Sequence, residues 1–185
     1  MAVGLCVLAA GCIFNPDTGD GGGGGGGTPQ YPKLDSPANV LDALRQSYAA
    51  RDSNEYKQLY DSSYVGTSQD LNDPPGTVVS TFRYADEVAH MAALQRSSTI
   101  TNVLFDIGGF AQWQRLPSSD VSHPDWADIT INSTHIEIND GLTTYIVQSN
   151  APVTFTFIPK VSAPGDTLWK IVRWNEVGNS GNSGA

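Results

Sequence analysis

Apolar residues fall into a helical rhythm soon after residue 36. Val40, Leu41, Leu44 and Tyr48 share one side of a 3.6-residue repeat. Ser36 precedes them as a natural N-cap, and Pro37 stands where the first helical residue belongs. Asp52-Ser53-Asn54 interrupts the run and can cap a second, shorter helix whose buried side is Tyr56, Leu59 and Tyr60. Tyr64-Val65 reads as a short extended piece, and Asn72-Asp73-Pro74-Pro75-Gly76 as a turn. A third helix is predicted over residues 85–96, with Val88, Met91 and either Leu94 or Ala92 facing inward. Asp86 and Glu87 lie in its first turn, where the helix dipole favours negative charge.

Beyond Arg96 the period changes from helical to alternating. Thr101, Val103, Phe105 and Ile107 share a face over residues 99–107, which reads as a strand. Residues 108–125 read as a long loop holding Trp113, Pro117 and Pro124. Residues 126–138 form a second strand or pair of strands. Ile129 and Ile131 share a phase that Ile136 and Ile138 do not, so a bulge or turn is predicted near Asn132-Ser133-Thr134. Tyr145, Val147, Ala151, Val153, Phe155 and Phe157 keep one phase, which favours a single long strand over residues 145–158, with Pro152 at an edge or bulge. Pro164-Gly165-Asp166 makes a turn, and residues 169–177 form the closing strand. Helices first and a meander of strands afterwards imply an α+β fold. A strongly curved antiparallel sheet, with helices packed into its concave face, buries both apolar stripes.

The chain has 185 residues and divides into four parts: a signal segment at 1–12, a Gly-rich tether at 13–33, a folded domain at 34–177 and a polar tail at 178–185. The unbroken glycine run at 21–27 has no side chains to bury and is expected to stay coil. A domain of roughly 150 residues is long enough for a substantial core. Ten basic against 19 acidic residues give a net charge of -9 with no basic stripe, which argues against nucleic acid. Both cysteines, Cys6 and Cys12, lie in the first segment. With Cys12 alone in a mature chain, no internal disulfide forms.

Val7-Leu8-Ala9-Ala10-Gly11-Cys12 resembles the lipobox of bacterial lipoproteins, in which the cysteine is lipidated and becomes the new N-terminus. That resemblance implies a cleaved signal peptide, a membrane anchor at Cys12 and a place in the bacterial cell envelope. Ile13 in place of aspartate implies the periplasmic face of the outer membrane where two membranes exist. The basic stretch that opens a signal peptide is missing, and the natural start is expected upstream of Met1. The segment before Cys12 is too short to span a bilayer, which takes about 20 residues.

The opening helix Ser36-Pro37-Ala38-Asn39-Val40-Leu41-Asp42-Ala43-Leu44, its end Tyr48-Ala49-Ala50-Arg51-Asp52, the following Tyr56-Lys57-Gln58-Leu59-Tyr60 and the closing Trp169-Lys170-Ile171-Val172-Arg173-Trp174-Asn175-Glu176 resemble the nuclear transport factor 2-like (NTF2-like) superfamily, including its SnoaL-like members. The resemblance implies a cone with a pocket between helices and sheet, and a homodimer formed through the sheets. Members include isomerases, dehydratases, hydrolases and non-catalytic binding modules, so fold alone does not select an activity. The ketosteroid isomerase pattern places an aspartate just after the second helix and a tyrosine near the position of Leu44. Residues 64–68 hold no carboxylate, so both parts are absent.

Candidate chemistry is sparse. His135 and Glu137 alternate onto one strand face and form an acid–base pair if that face lines the cone. Glu87 and His90, three apart on a helix, lack the repeated copies that a carboxylate-bridged metal site needs and read as structural or solvent-exposed. Asp120, His123 and Asp125 share the long loop without fixed geometry, and neither metal nor cofactor is expected. Tyr48, Phe105, Phe155 and Trp174 are the aromatics expected near the cavity, or else plain core. Phe110 and Trp113 cap a pocket mouth, mark a contact surface, or fold back over the sheet. The leading expectation is a non-enzymatic, lipid-anchored envelope protein that binds a small apolar ligand or a protein partner. The alternative is a SnoaL-like enzyme acting on a small hydrophobic substrate through His135 and Glu137.

Overall fold

Ser36 starts the first helix as its sequence context demands. Its hydroxyl accepts a hydrogen bond from the Asn39 amide at 3.2 Å, and Pro37 takes the first helical position, where no amide donor is needed. The computed structural model describes residues 30–68, 79–149, 152–163 and 165–176. The lipobox segment, the glycine tract, the turn at 72–76 and the tail lie outside the described residues. The described elements are α1 (Pro37–Ala50), α2 (Ser53–Tyr56), β1 (Tyr60–Ser68), β2 (Ser80–Arg83), α3 (Tyr84–Arg96), β3 (Asn102–Asp106), β4 (Arg115–Pro117), β5 (Ala127–Ile131), β6 (Thr134–Asn139), β7 (Thr144–Ser149), β8 (Val153–Ala163) and β9 (Asp166–Glu176).

α1 ends at Arg51, which adopts a left-handed conformation at φ 54. That conformation costs a non-glycine residue roughly 1–2 kcal/mol. The side chain offsets it by donating to the carbonyls of Ser97 and Ile100 at 3.2 and 2.9 Å, tying the end of α1 to the segment between α3 and β3. Asp52 then caps α2 by accepting from the amides of Asn54 and Glu55. α2 stops sooner than the sequence suggests. Tyr60 begins β1 rather than extending the helix, because the Leu59 carbonyl accepts from the Ile171 amide at 2.8 Å and sheet pairing takes over.

The strands form a six-stranded sheet in the order β2-β1-β9-β8-β5-β4 and a three-stranded sheet in the order β3-β6-β7. All pairings are antiparallel except β1 with β9. The phase slip at 132–134 is the place where the chain leaves the larger sheet for the smaller. Ile129 and Ile131 are buried in one sheet, and Ile136 and Ile138 pack against the same core from the other. The single long strand expected over residues 145–158 is instead two strands in different sheets, β7 beside β6 and β8 between β5 and β9. Val147 and Val153 are an even number of positions apart, so the alternation runs through the break without a slip. Burial separates them: Tyr145 and Val147 are more than half exposed, whereas Val153, Phe155 and Phe157 are fully buried. The long loop also contains β4, a short strand that pairs with β5.

The core lies between α1 and the inner faces of both sheets, with α1 packed on β3, β9 and β5. Val40, Leu41 and Leu44 meet a layer that includes Phe105, Ile129, Phe155 and Ile171. Truncating Leu41, which is 0% exposed, to alanine is expected to cost about 2–5 kcal/mol in urea unfolding. The same change at Leu142, 98% exposed, is expected to stay within about 0.5 kcal/mol. Equal effects at the two positions would contradict this core.

Asp61 at the start of β1 pairs with Lys160 of β8 at 2.8 Å. Burial pushes its carboxyl up, but the Lys160 ammonium and the hydroxyl and amide of Ser63 outweigh it, and the pKa is held at about 2 against an ordinary 3.8. A depressed carboxylate stabilises the fold fully above its unfolded pKa and loses that contribution as pH falls through its folded one. The stability difference between the parent and Asp61→Asn is therefore expected to be constant above about pH 5 and to shrink towards zero near pH 2. Chemical denaturation across that range measures it, and a difference that grows on acidification would overturn the assignment.

Candidate functional site

A run of tyrosines climbs from α2 along β1. Tyr56, Tyr60 and Tyr64 are spaced by four, and their rings touch in sequence, with centroids 5.0 and 4.8 Å apart. The hydroxyls form a directed chain. Tyr60 donates to the Tyr56 oxygen at 2.8 Å, and Tyr56 donates to Glu87 Oε2 at 2.8 Å. Tyr64 donates to the other carboxylate oxygen, Glu87 Oε1, at 3.0 Å. One turn further along α3, His90 Nε2 lies 2.9 Å from the Tyr48 hydroxyl, with the direction of that bond set by the imidazole tautomer. Gly66 makes room for this arrangement, since a Cβ there would collide with the Tyr64 hydroxyl.

Burial raises the pKa of all four phenols above their ordinary 10, and the nearby Glu87 charge raises them further. They stay protonated at any physiological pH and serve as fixed hydroxyl groups. The cluster stands at the wall of a cavity of about 700 Å³. The neighbouring strands β2, β1 and β9, the last through Trp174, line it together with α1, α3, β6 and β7. Tyr48, Tyr64, Glu87 and His90 all reach it, and its apolar lining comes from Phe82, Ile136, Ile138, Val147 and Trp174.

Of the four aromatics expected at the cavity, Tyr48 and Trp174 line it. Phe105 and Phe155 sit one layer deeper, 1% and 0% exposed, and support Trp174 with ring centroids at 5.9 and 4.7 Å. His135 and Glu137 do approach each other, Nε2 to Oε1 at 2.7 Å. They alternate with Ile136 and Ile138, which face the large cavity, so the pair lies on the opposite face of β6. His135 borders a separate crevice of about 220 Å³ with Asp106, Gln112 and the turn at 131–134.

Trp113 folds back: it is 5% exposed, and its indole N–H donates to the Ile107 carbonyl at 2.9 Å. Phe110 leans on it at 5.1 Å and remains 56% exposed. Asp120 and His123 fasten the long loop to β9. Asp120 pairs with Arg173 at 3.1 Å, and Trp126 stacks against His123 while the Arg173 guanidinium lies over its ring. The Ser122 hydroxyl, with His123 and Arg173, holds the Asp120 carboxyl well below the usual range. Among the described residues no three metal-ligating side chains cluster. Glu87 and His90, which read as structural or solvent-exposed in the sequence, are the groups the fold brings to the cavity. Their partners lie 23 to 42 positions away, beyond the reach of local spacing.

No protein-family model and no curated protein matches the chain. Solved structures do. A conserved protein from Planctomyces limnophilus superposes with a TM-score of 0.52 at 11% identity, covering 74% of this chain and 88% of that one. An NTF2-like superfamily protein from Salmonella enterica serovar Typhimurium gives 0.51 at 12% identity, covering 80% and 94%. Bdellovibrio bacteriovorus Bd1075 aligns at 0.46 and 16% identity over 72% of this chain, which spans only 37% of that protein. At such identity the likeness to the Salmonella protein speaks for architecture alone, and together with helices packed on antiparallel-dominated sheets it gives this chain the α+β NTF2-like cone fold.

Proposed function

We propose that this is a lipid-anchored bacterial envelope protein whose cone binds a small apolar or amphipathic ligand without transforming it. The observation that carries the reading is the 700 Å³ cavity, apolar along β6 and β7 and furnished with a few convergent polar groups on α1, β1 and α3. Those polar groups are engaged with one another. Each oxygen of Glu87 already accepts from a tyrosine, and His90 is paired with Tyr48. Fixed phenols and an occupied carboxylate suit orientation of a bound molecule better than repeated proton transfer.

The enzymatic alternative through His135 and Glu137 would place its chemistry beside a small crevice lined mainly by polar groups, a poor host for a hydrophobic substrate. A protein partner would meet Phe110, the aromatic of the long loop that stays exposed. Anchoring rests on the Val7–Cys12 pattern, with the glycine tract serving as a spacer between membrane and cone.

Two experiments test the reading. Ala89 and Val147 line the cavity at its exposed rim, so Ala89→Trp with Val147→Trp narrows it without touching the core. The double variant is expected to bind the neutral dye Nile red about tenfold more weakly, ~1.4 kcal/mol, at an unchanged unfolding midpoint. Unaltered dye binding would remove the cavity from the account. In the host, the parent chain is expected in the membrane fraction and Cys12→Ala in the soluble one. Retention of Cys12→Ala on membranes would sink the anchor.

A further inference from the structure

The charge of the cavity is one-sided. Asp86, Glu87 and Glu176 line it, and among the described residues no lysine or arginine does. Four acids elsewhere are neutralised by a basic side chain: Asp42 by Arg45, Asp61 by Lys160, Asp120 by Arg173 and Asp166 by Lys33. The three cavity carboxylates take part in none of the salt bridges among the described residues. Glu87 is held by phenols that remain neutral donors, so its charge is oriented but not cancelled. Among the described residues Glu176 accepts from the Ser68 hydroxyl at 3.1 Å, and Asp86 accepts from the Arg83 amide at 2.8 Å.

A ligand that fills this cavity strips water from the carboxylates. Leaving an anion desolvated and unpaired is costly, and a second anion brought beside it adds repulsion. A cation reverses both penalties. Aromatic rings share the lining: Tyr48, Tyr64, Phe82 and Trp174. Ring faces attract ammonium groups electrostatically, by about 0.5–2 kcal/mol each depending on exposure. The volume far exceeds what a head group needs, and Ile136, Ile138 and Val147 offer an apolar bed for the remainder.

Building on the ligand-binding reading above, we propose that the cavity selects an organic cation, with an ammonium head set against Glu87 and the aromatic rings and an apolar body lying along β6 and β7. Anionic amphiphiles such as fatty acids are excluded, and neutral ones bind only through their tails. Glu87 supplies the charge, and the Tyr56 and Tyr64 hydroxyls fix its direction.

Isothermal titration of the 185-residue chain carrying Cys12→Ala separates the possibilities, using octyltrimethylammonium, 1-octanol and octanoate below their aggregation limits. The cation is expected to bind at least about tenfold more tightly than 1-octanol, and octanoate not measurably. Glu87→Gln keeps an acceptor for one tyrosine while removing the charge; it is expected to weaken the cation about tenfold more than it weakens 1-octanol, and equal losses for the two ligands would overturn the role of the charge. Equal binding of the cation and 1-octanol by the parent would overturn the selectivity while the cavity stands, and this comparison does not depend on any variant folding. Binding of none of the three would overturn the cavity reading and the inference with it.

Discussion

The carboxylate of Glu87 is the constraint on which the shape of the site depends. α3 is a weak core helix, burying only Met91 and Leu94. Two apolar side chains do little to fix a helix of 13 residues at the mouth of a cone. The polar contacts supply what the apolar face lacks: Glu87 to Tyr56 and Tyr64, His90 to Tyr48, and Gln95 to the Ser53 hydroxyl. Hydrogen bonds to a charged acceptor contribute roughly 1.5–3 kcal/mol each, about twice a neutral pair. The pair at Glu87 is therefore comparable to the burial of a large side chain.

That fastening has a consequence for the ligand site. A helix held mainly by its apolar stripe would settle into the cone and close it. Held at its polar edge, α3 instead stands off from β6 and β7, and the cavity lies between them. Tyr64 and Tyr48, which help secure the helix, also line the cavity. Stability and binding share the same few residues, so substitutions in the cluster act on both. The rest of the domain is conventional: α1 buries one continuous stripe, and Arg51 closes the connection from α1 to β3.

Local signals in the sequence were sufficient for α1, because Ser36, Pro37 and the stripe from Val40 to Tyr48 each act within a turn or two. They were sufficient for the α+β class as well. The parallel pairing of β1 with β9 joins residues more than a hundred positions apart and leaves no local trace. The division between β7 and β8 was hidden by parity, since an even offset preserves alternation. For the site, spacing put His135 and Glu137 in contact, as found, but could not say which face of β6 meets the cavity. The opposite held at Glu87 and His90. Their helical spacing was visible, and their meaning was not, because it depends on tyrosines contributed by α1, α2 and β1. Trp113 and Phe110 diverged for a similar reason: the indole N–H finds its partner in the Ile107 carbonyl, and Phe110 has no polar group to anchor it there.

Hydrogen exchange measured by mass spectrometry on the parent and on Glu87→Ala tests the central claim most directly. If Glu87 fastens α3 to the tyrosines, the amides of residues 84–96 exchange markedly faster in the variant, while those of 37–50 keep their protection. Unchanged protection across α3 would mean that packing alone holds the helix, and the account of how the cone stays open would fail.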